Sequence, residues 1–297
     1  MKIACAQYPI LRFASFDAWR ADAAARVAEA ASGGARLLVF PEYGGMALTA
    51  LLPEALQRDL TGQIAALQPL HDDYRGTWRD LARAHGVHIL APSLPVAVNG
   101  RFHNRAWLCA PDGNMAFQDK RQMTRFESEE WGITGGGALK VFDIGPTTTD
   151  HTVIGVAICY DIEFPLIAHA MAVAGADLIL APSCTDTQAG SNRVHVGARA
   201  RALESQVFVA VAPTVGAAPW SPAVDVNVGR AAVYAAPDRG LPDDGILALG
   251  EPDRPGWVMA ELDFAQLRAA RTEAQVFTRR DWPGQALPDL NVTPVKL

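Results

Sequence analysis

The sequence predicts an α/β protein in which two open sheets pack face to face with helices outside, and three observations carry that expectation. Apolar runs of strand length alternate with Ala-rich segments of helix length along most of the chain. Those strand candidates are near-continuous apolar runs, as strands covered on both faces must be. The alternation continues without a linker, so one layered core absorbs it.

In chain order, Ile3–Ala6 is the first strand, entered directly from Met1-Lys2 without the apolar stretch of about 7–15 residues and small-residue cleavage site of a signal peptide. A helix over 17–31, a strand at Leu37–Phe40, a helix within 62–84 and a strand at Val87–Ala91 follow. Asn104–Ala110 and Asn114–Asp119 flank Pro111-Asp112-Gly113, where fixed proline φ and permissive glycine favour chain reversal; this is a β-hairpin ending at Lys120. Gly132 to Gly137 lacks the GKS/T ending of a phosphate loop and the preceding strand of a dinucleotide fingerprint, so it is expected to be a flexible turn. Strands at Thr152–Ile158, Leu178–Ala181, Val207–Ala212 and Val228–Tyr234 come next, with helices near 163–174 and 195–206. The tail after Asp281 holds three prolines and little periodicity, which suits an extended arm.

At 297 residues, about half of them apolar and a fifth charged, the chain suits one large domain. A formal charge of −6, without a run of five like charges, gives no footprint for nucleic acid or an anionic membrane. No window reaches the roughly 18 uninterrupted apolar residues of a membrane span. Cytoplasmic location and a small-molecule partner are expected. Cys5, Cys109, Cys159 and Cys184 form no CxxC pair and are expected to be reduced. There is no HExxH, and His85 and His88 straddle Gly86, where a helix should end, so neither metal nor other cofactor is expected.

Four residues invite chemistry. Glu42 follows the Leu37–Phe40 strand and Pro41, at the sheet edge where α/β proteins place ligands, and apolar neighbours would raise its proton affinity toward that of a base. Cys159 ends the Thr152–Ile158 strand, before a turn and a helix beginning near Glu163; such an elbow exposes a thiol and aims the Tyr160 N–H at a nascent oxyanion. Lys120 could lower the thiol pKa or hold that oxyanion, and Glu127 could orient its ammonium. Taken singly, a loop glutamate, an inert buried cysteine and a solvated lysine remain open readings.

Jointly, Phe40-Pro41-Glu42, Asp119-Lys120 and Ile158-Cys159-Tyr160-Asp161-Ile162-Glu163-Phe164-Pro165 resemble the Glu, Lys and Cys signatures of the nitrilase or carbon-nitrogen hydrolase superfamily, in the same order and at similar spacing. The similarity runs from Ala6-Gln7 through Gly175-Ala176-Asp177 and Arg199 to Gln206, covering most of the chain to about residue 265. The resemblance implies a four-layer α-β-β-α sandwich over 1–265, with a C-terminal helix and extended arm over 266–297 packing on a partner subunit. It implies a homodimer or larger even assembly through the helices near 163–174 and 195–206. It also implies that Cys159 attacks a carbon-nitrogen substrate, Glu42 moves the protons, Lys120 and the Tyr160 N–H hold the oxyanion, and Glu127 matches a second family glutamate. Tyr43, Tyr160, Trp131, Cys184 and Thr185 are expected at the substrate.

Leu166 and Ser183-Cys184-Thr185 depart from the commonest family pattern and are expected near the pocket. Tyr160-Asp161 after the nucleophile resembles amidase-like branches, whereas nitrilases typically carry Trp-Glu, so a small amide or carbamoyl compound is the expected substrate. Nitrile hydrolysis, acyl transfer to an amine, and a silent binding protein on the same fold are the alternatives. Glu127, Glu129 and Glu130, with Asp161 and Asp186 at the same rim, would favour a cationic substrate unless they form a solvated acidic loop.

Overall fold

A computed structural model describes residues 1–145, 151–285 and 293–295. Its strands, numbered along the chain, are β1 (Lys2–Pro9), β2 (Leu37–Val39), β3 (His88–Leu90), β4 (Leu94–Val98), β5 (Arg101–Cys109), β6 (Met115–Asp119) and β7 (Val141–Asp143). They continue with β8 (Val153–Val156), β9 (Leu178–Ser183), β10 (Phe208–Ala217), β11 (Val226–Asn227), β12 (Ala232–Tyr234), β13 (Ile246–Leu249) and β14 (Gly256–Glu261). In one sheet β1, β2 and β3 run parallel, β14 pairs antiparallel to β1, and β5 pairs antiparallel with β3, β4 and β6. In the other, β8, β9 and β10 run parallel, with β7 antiparallel to β8 and β12 antiparallel to β10. The sheets meet where Tyr8 and Pro9 of β1 pair with Thr214 and Val215 of β10.

The period of two in β1 sorts its side chains between two cores. Ile3 and Cys5 face inward with Leu37, Val39 and Leu90, against Val156, Ile179 and Val209 of the second sheet. Ala4, Ala6 and Tyr8 face outward with Leu38 and Phe40, under Trp19, Val27, Tyr74 and Trp78. A one-residue slip would exchange the two sets. The outer helices here are α1 (Phe16–Ser32), capped by Ser15, whose hydroxyl accepts from the Ala18 N–H, and α2 (His71–His85), ended by left-handed Gly86. On the second sheet lie α3 (Pro165–Val173), opened by a proline that sacrifices no helical donor, and α4 (Gln188–Ser205), capped by Thr187. The layers are therefore α-β-β-α, as the alternation implied.

A further helix, α5 (Phe264–Glu273), buries Leu267 and Ala270, and its Arg268 and Arg271 both bind Asp177 at the head of β9. The extended arm expected after Asp281 lies largely outside the described residues. No described helix is long and apolar enough to cross a membrane.

Several elements differ from expectation. The strand β4 was not anticipated, because Pro95 argues against a paired strand; it survives at the margin by pairing with β5. Helix α4 starts at Gln188 rather than near 195, because the Thr187 cap supplies a start signal that apolar periodicity does not. Only Ala232–Tyr234 of the expected Val228–Tyr234 strand pairs as β12. The Gly132–Gly137 segment is anchored rather than a free turn: Ile133 bridges to Phe102, and the Gly136 N–H donates to the Lys120 carbonyl at 2.7 Å.

Candidate active site

The chain leaves β2 through Phe40 and Pro41, and Pro41 cannot extend the ladder, which leaves Glu42 at the strand's carboxyl end. Tyr43 then adopts φ 53°, a left-handed conformation uncommon outside glycine, and Gly44 and Gly45 press against the next loop. A Cβ on Gly44 would sit 2.9 Å from that of Pro92, so only glycine fits there. This turn buries Glu42 almost completely and fixes both its oxygens. Oε1 accepts from Asn104 Nδ2 at 2.9 Å and Lys120 Nζ at 2.7 Å, while Oε2 accepts from the Cys184 N–H at 3.0 Å.

Lys120 stands just beyond β6, its N–H bound to the Asn104 carbonyl. Its ammonium is 1% exposed and also donates to Glu127 Oε2 at 2.6 Å. Glu127, in a short π-helix (Phe126–Trp131), accepts from the Tyr43 hydroxyl at 2.6 Å and from the Thr124 N–H and hydroxyl at 2.9 Å each. Burial pulls the Lys120 pKa down, but the Glu42 and Glu127 charges outweigh it and hold the ammonium well above its usual range. Burial also raises Glu127, yet Lys120 and the hydrogen bonds bring it below the ordinary carboxylate value. Glu42 goes the other way: burial, reinforced by the Glu127 charge, exceeds the pull of Lys120 and lifts it to about 7. One carboxylate of the pair is thus a fixed anion and the other titrates near neutrality.

Cys159 closes the group at the carboxyl end of β8. Its own φ is 49°, and it opens a 3-10 turn (Cys159–Glu163) rather than leading directly into the expected helix near Glu163, which begins at Pro165. Burial and the adjacent Glu42 charge push the thiol well above its usual pKa, so the resting group is a protonated thiol. Its Sγ also lies 3.7 Å from the Cys184 carbonyl. The Tyr160 N–H sits in the first turn of this short helix, where backbone donors lack intrahelical acceptors.

Glu42, Lys120, Glu127 and Cys159 share a cleft of about 630 Å³ with Tyr43, Tyr160, Trp131, Cys184 and Thr185, so these nine expected residues are brought together. The size suits a small organic molecule. Trp131 packs its ring 4.6 Å from that of Tyr43, and Thr185 donates to the Val228 carbonyl. Asp186 reaches the rim as expected, but Asp161 does not: it is buried and faces backbone N–H groups. Leu166, expected near the pocket, is 70% exposed on α3 and takes no part in the lining.

Residues 2–272 match the family model described as carbon-nitrogen hydrolase. The chain belongs to the carbon-nitrogen hydrolase family. It is 31% identical over 95% of its length to a probable hydrolase, YhcX, of Bacillus subtilis, of which the match covers 53%. It is 28% identical over 63% of its length to an omega-amidase, NIT2-B, of Xenopus laevis, of which the match covers 65%. The chain thus spans about half to two thirds of these curated relatives. The carbon-nitrogen hydrolase from Helicobacter pylori G27 superposes with a TM-score of 0.72 at 19% identity, over 95% of this chain and 93% of that one, which supports the shared fold.

Within this cleft, sequence reasoning missed Asn104, whose amide orients Glu42, and Ser93, whose hydroxyl accepts from the Tyr43 N–H. Asn104 stands between His103 and Arg105 in the hairpin strand beside Lys120, so no polar-among-apolar contrast marked it, and its complete burial shows only in the structure. The cleft residues Met123, Phe126, Arg193, Pro222, Asp225 and Val226 come from loops, the π-helix, α4 and the short strand β11, with no motif.

Proposed function

We propose that this carbon-nitrogen hydrolase cleaves the C–N bond of a small amide or carbamoyl compound through a thioester on Cys159. The observation that carries the reading is that the buried Glu42 carboxylate, paired with the Lys120 ammonium, lines one cleft with the Cys159 thiol, and burial that lifts Glu42 to about 7 suits it to move protons. Glu42 takes the thiol proton as the Cys159 sulfur attacks the carbonyl carbon. Lys120 Nζ and the Tyr160 N–H hold the resulting oxyanion. The C–N bond then breaks, the proton on Glu42 passes to the leaving nitrogen, and ammonia or an amine departs. Water gives a proton to Glu42 and attacks the thioester; the C–S bond breaks, the sulfur recovers the proton, and the acid leaves. Glu127 keeps the ammonium in place throughout. Cytoplasmic action without a cofactor belongs to the same proposal.

An amide suits these donors better than a nitrile does. Amide attack generates an oxyanion that both donors can meet, whereas nitrile attack generates a thioimidate nitrogen that must be protonated and then hydrated. The Tyr160-Asp161 pair and the omega-amidase name of a relative favour the same side. Ammonia release from amides, carbamoyl compounds and nitriles of matched carbon skeleton tests this, with kcat/KM higher for the amide; a nitrile preference of about tenfold would overturn it. Added amines test acyl transfer, whose mark is a new amide in place of the acid.

A homodimer or larger even assembly is proposed through α3 and α4, which expose Leu166, Val173, Val196 and Leu203 to solvent. Sedimentation at micromolar concentration should show at least a dimer, and a monomer would contradict it.

A further inference from the structure

Asp161 is a carboxylate that the proposed chemistry does not use. It is 1% exposed, and among the described residues it makes no ion pair; its partners are backbone N–H groups. Its own N–H donates to the Ile158 carbonyl at 3.0 Å, and its Oδ2 accepts from the Ile158 N–H at 3.3 Å. These two bonds close a ring around Cys159 and Tyr160. The same carboxylate accepts from the Arg121 N–H at 3.1 Å and the Gln122 N–H at 2.7 Å, the two groups that follow Lys120 in the chain. One side chain therefore ties the nucleophile turn to the segment that presents the ammonium.

The nucleophile turn needs such a hold. Cys159 occupies a left-handed conformation, which costs a non-glycine residue energy and persists only where surrounding bonds over-determine it. Helix α4 supports the turn from its other end: Arg201 Nη1 donates to the Ile162 and Glu163 carbonyls, and a Cβ on Gly197 would meet the Ile162 oxygen at 2.9 Å. Neither contact reaches Lys120. Among the described residues, Asp161 is the side chain that hydrogen-bonds the backbone of both segments, while the Lys120 carbonyl and N–H are committed to Gly136 and Asn104 and Glu42 meets only the Lys120 side chain.

We infer that Asp161 is a positioning residue that sets the Cys159 thiol against the Lys120 ammonium by clamping their two backbone segments together. Its consequence for turnover rests on the hydrolase reading above; its consequence for thiol placement does not. Burial lifts the Asp161 pKa to about 6 while the backbone N–H groups pull it back, so the clamp is an anion at neutral pH.

The test compares Asp161→Asn and Asp161→Glu in the full chain. Asn keeps the size but turns an NH2 toward backbone donors; Glu keeps the charge but displaces it by one methylene. The Asn variant should lose kcat about 10²-fold with KM within about threefold, the mark of a misplaced reacting group rather than of lost binding. The Glu variant should lose about tenfold in both kcat and the rate at which iodoacetamide alkylates Cys159, and with the charge retained that loss reports placement. Cys5 and Cys109 should label as slowly as in the parent in both variants. Folded variants that keep kcat and Cys159 alkylation within about threefold of the parent would overturn the inference. If Asn fails to fold, Glu decides. A parent that turns over no amide would sink the hydrolase reading while leaving the alkylation comparison to judge the clamp.

Discussion

Two ion clusters among the described residues, one around Lys120 and one around Asp177, are built from the same kinds of group and differ in the ratio of acid to base. Around Lys120, two carboxylates share one ammonium, and none of the three side chains is more than 3% exposed. Around Asp177, one carboxylate is shared by two guanidiniums, and Arg268 is 44% exposed. Surplus acid in a dry site leaves one carboxylate poorly compensated, and that residue, Glu42, rises to about 7 and faces a cleft. Surplus cation beside water leaves no poised base; there the ions fasten α5 to the head of β9. Burial of an ion pair is thus weak evidence of function, whereas the acid-to-base ratio and access to a cleft separate a reactive cluster from a fastening.

Removing the poised carboxylate should break the comparison most severely. Glu42→Gln keeps the shape and leaves Lys120 paired with Glu127, so the protein should fold while kcat/KM falls about 10³-fold. In the parent, the base must be ionised. Its folded pKa is about 7, so kcat/KM should climb about tenfold per pH unit below 7 and flatten above it. A profile flat from pH 5 to about 8 would remove Glu42 from the base role.

The fastening cluster should respond in the opposite sense. Asp177→Asn leaves two arginines without their anion and should cost about 1–3 kcal/mol of stability by urea titration, the partial exposure of Arg268 limiting the loss. Its kcat should stay within about twofold of the parent. A large kcat loss in a fully folded Asp177→Asn protein would mean that the two clusters are coupled.

Much of this contrast was legible in the residues themselves. Apolar runs gave the layers because burial on both faces leaves few polar positions in a strand, and the residues just past three strand ends gave Glu42, Lys120 and Cys159. Tyr43 and Cys159 adopt left-handed conformations without being glycine, so no residue type announced either turn. Asp161 looked like a rim acid because sequence shows a charge but not the backbone N–H groups that receive it. Leu166 was placed near the pocket by its closeness in sequence to Cys159, but the 3-10 turn and Pro165 rotate it to the outer face of α3. The Asp177 clamp joins residues more than 90 positions apart, a distance over which sequence carries no local signal.

The central claim is that Cys159 carries the acyl group. Acid quenching during turnover of the best amide, followed by peptide mass spectrometry, measures this directly. The peptide containing Cys159 should gain the mass of the substrate acyl group, and Cys159→Ala should show neither the adduct nor turnover. Turnover without any adduct on Cys159, or with the adduct on Cys184, would contradict it.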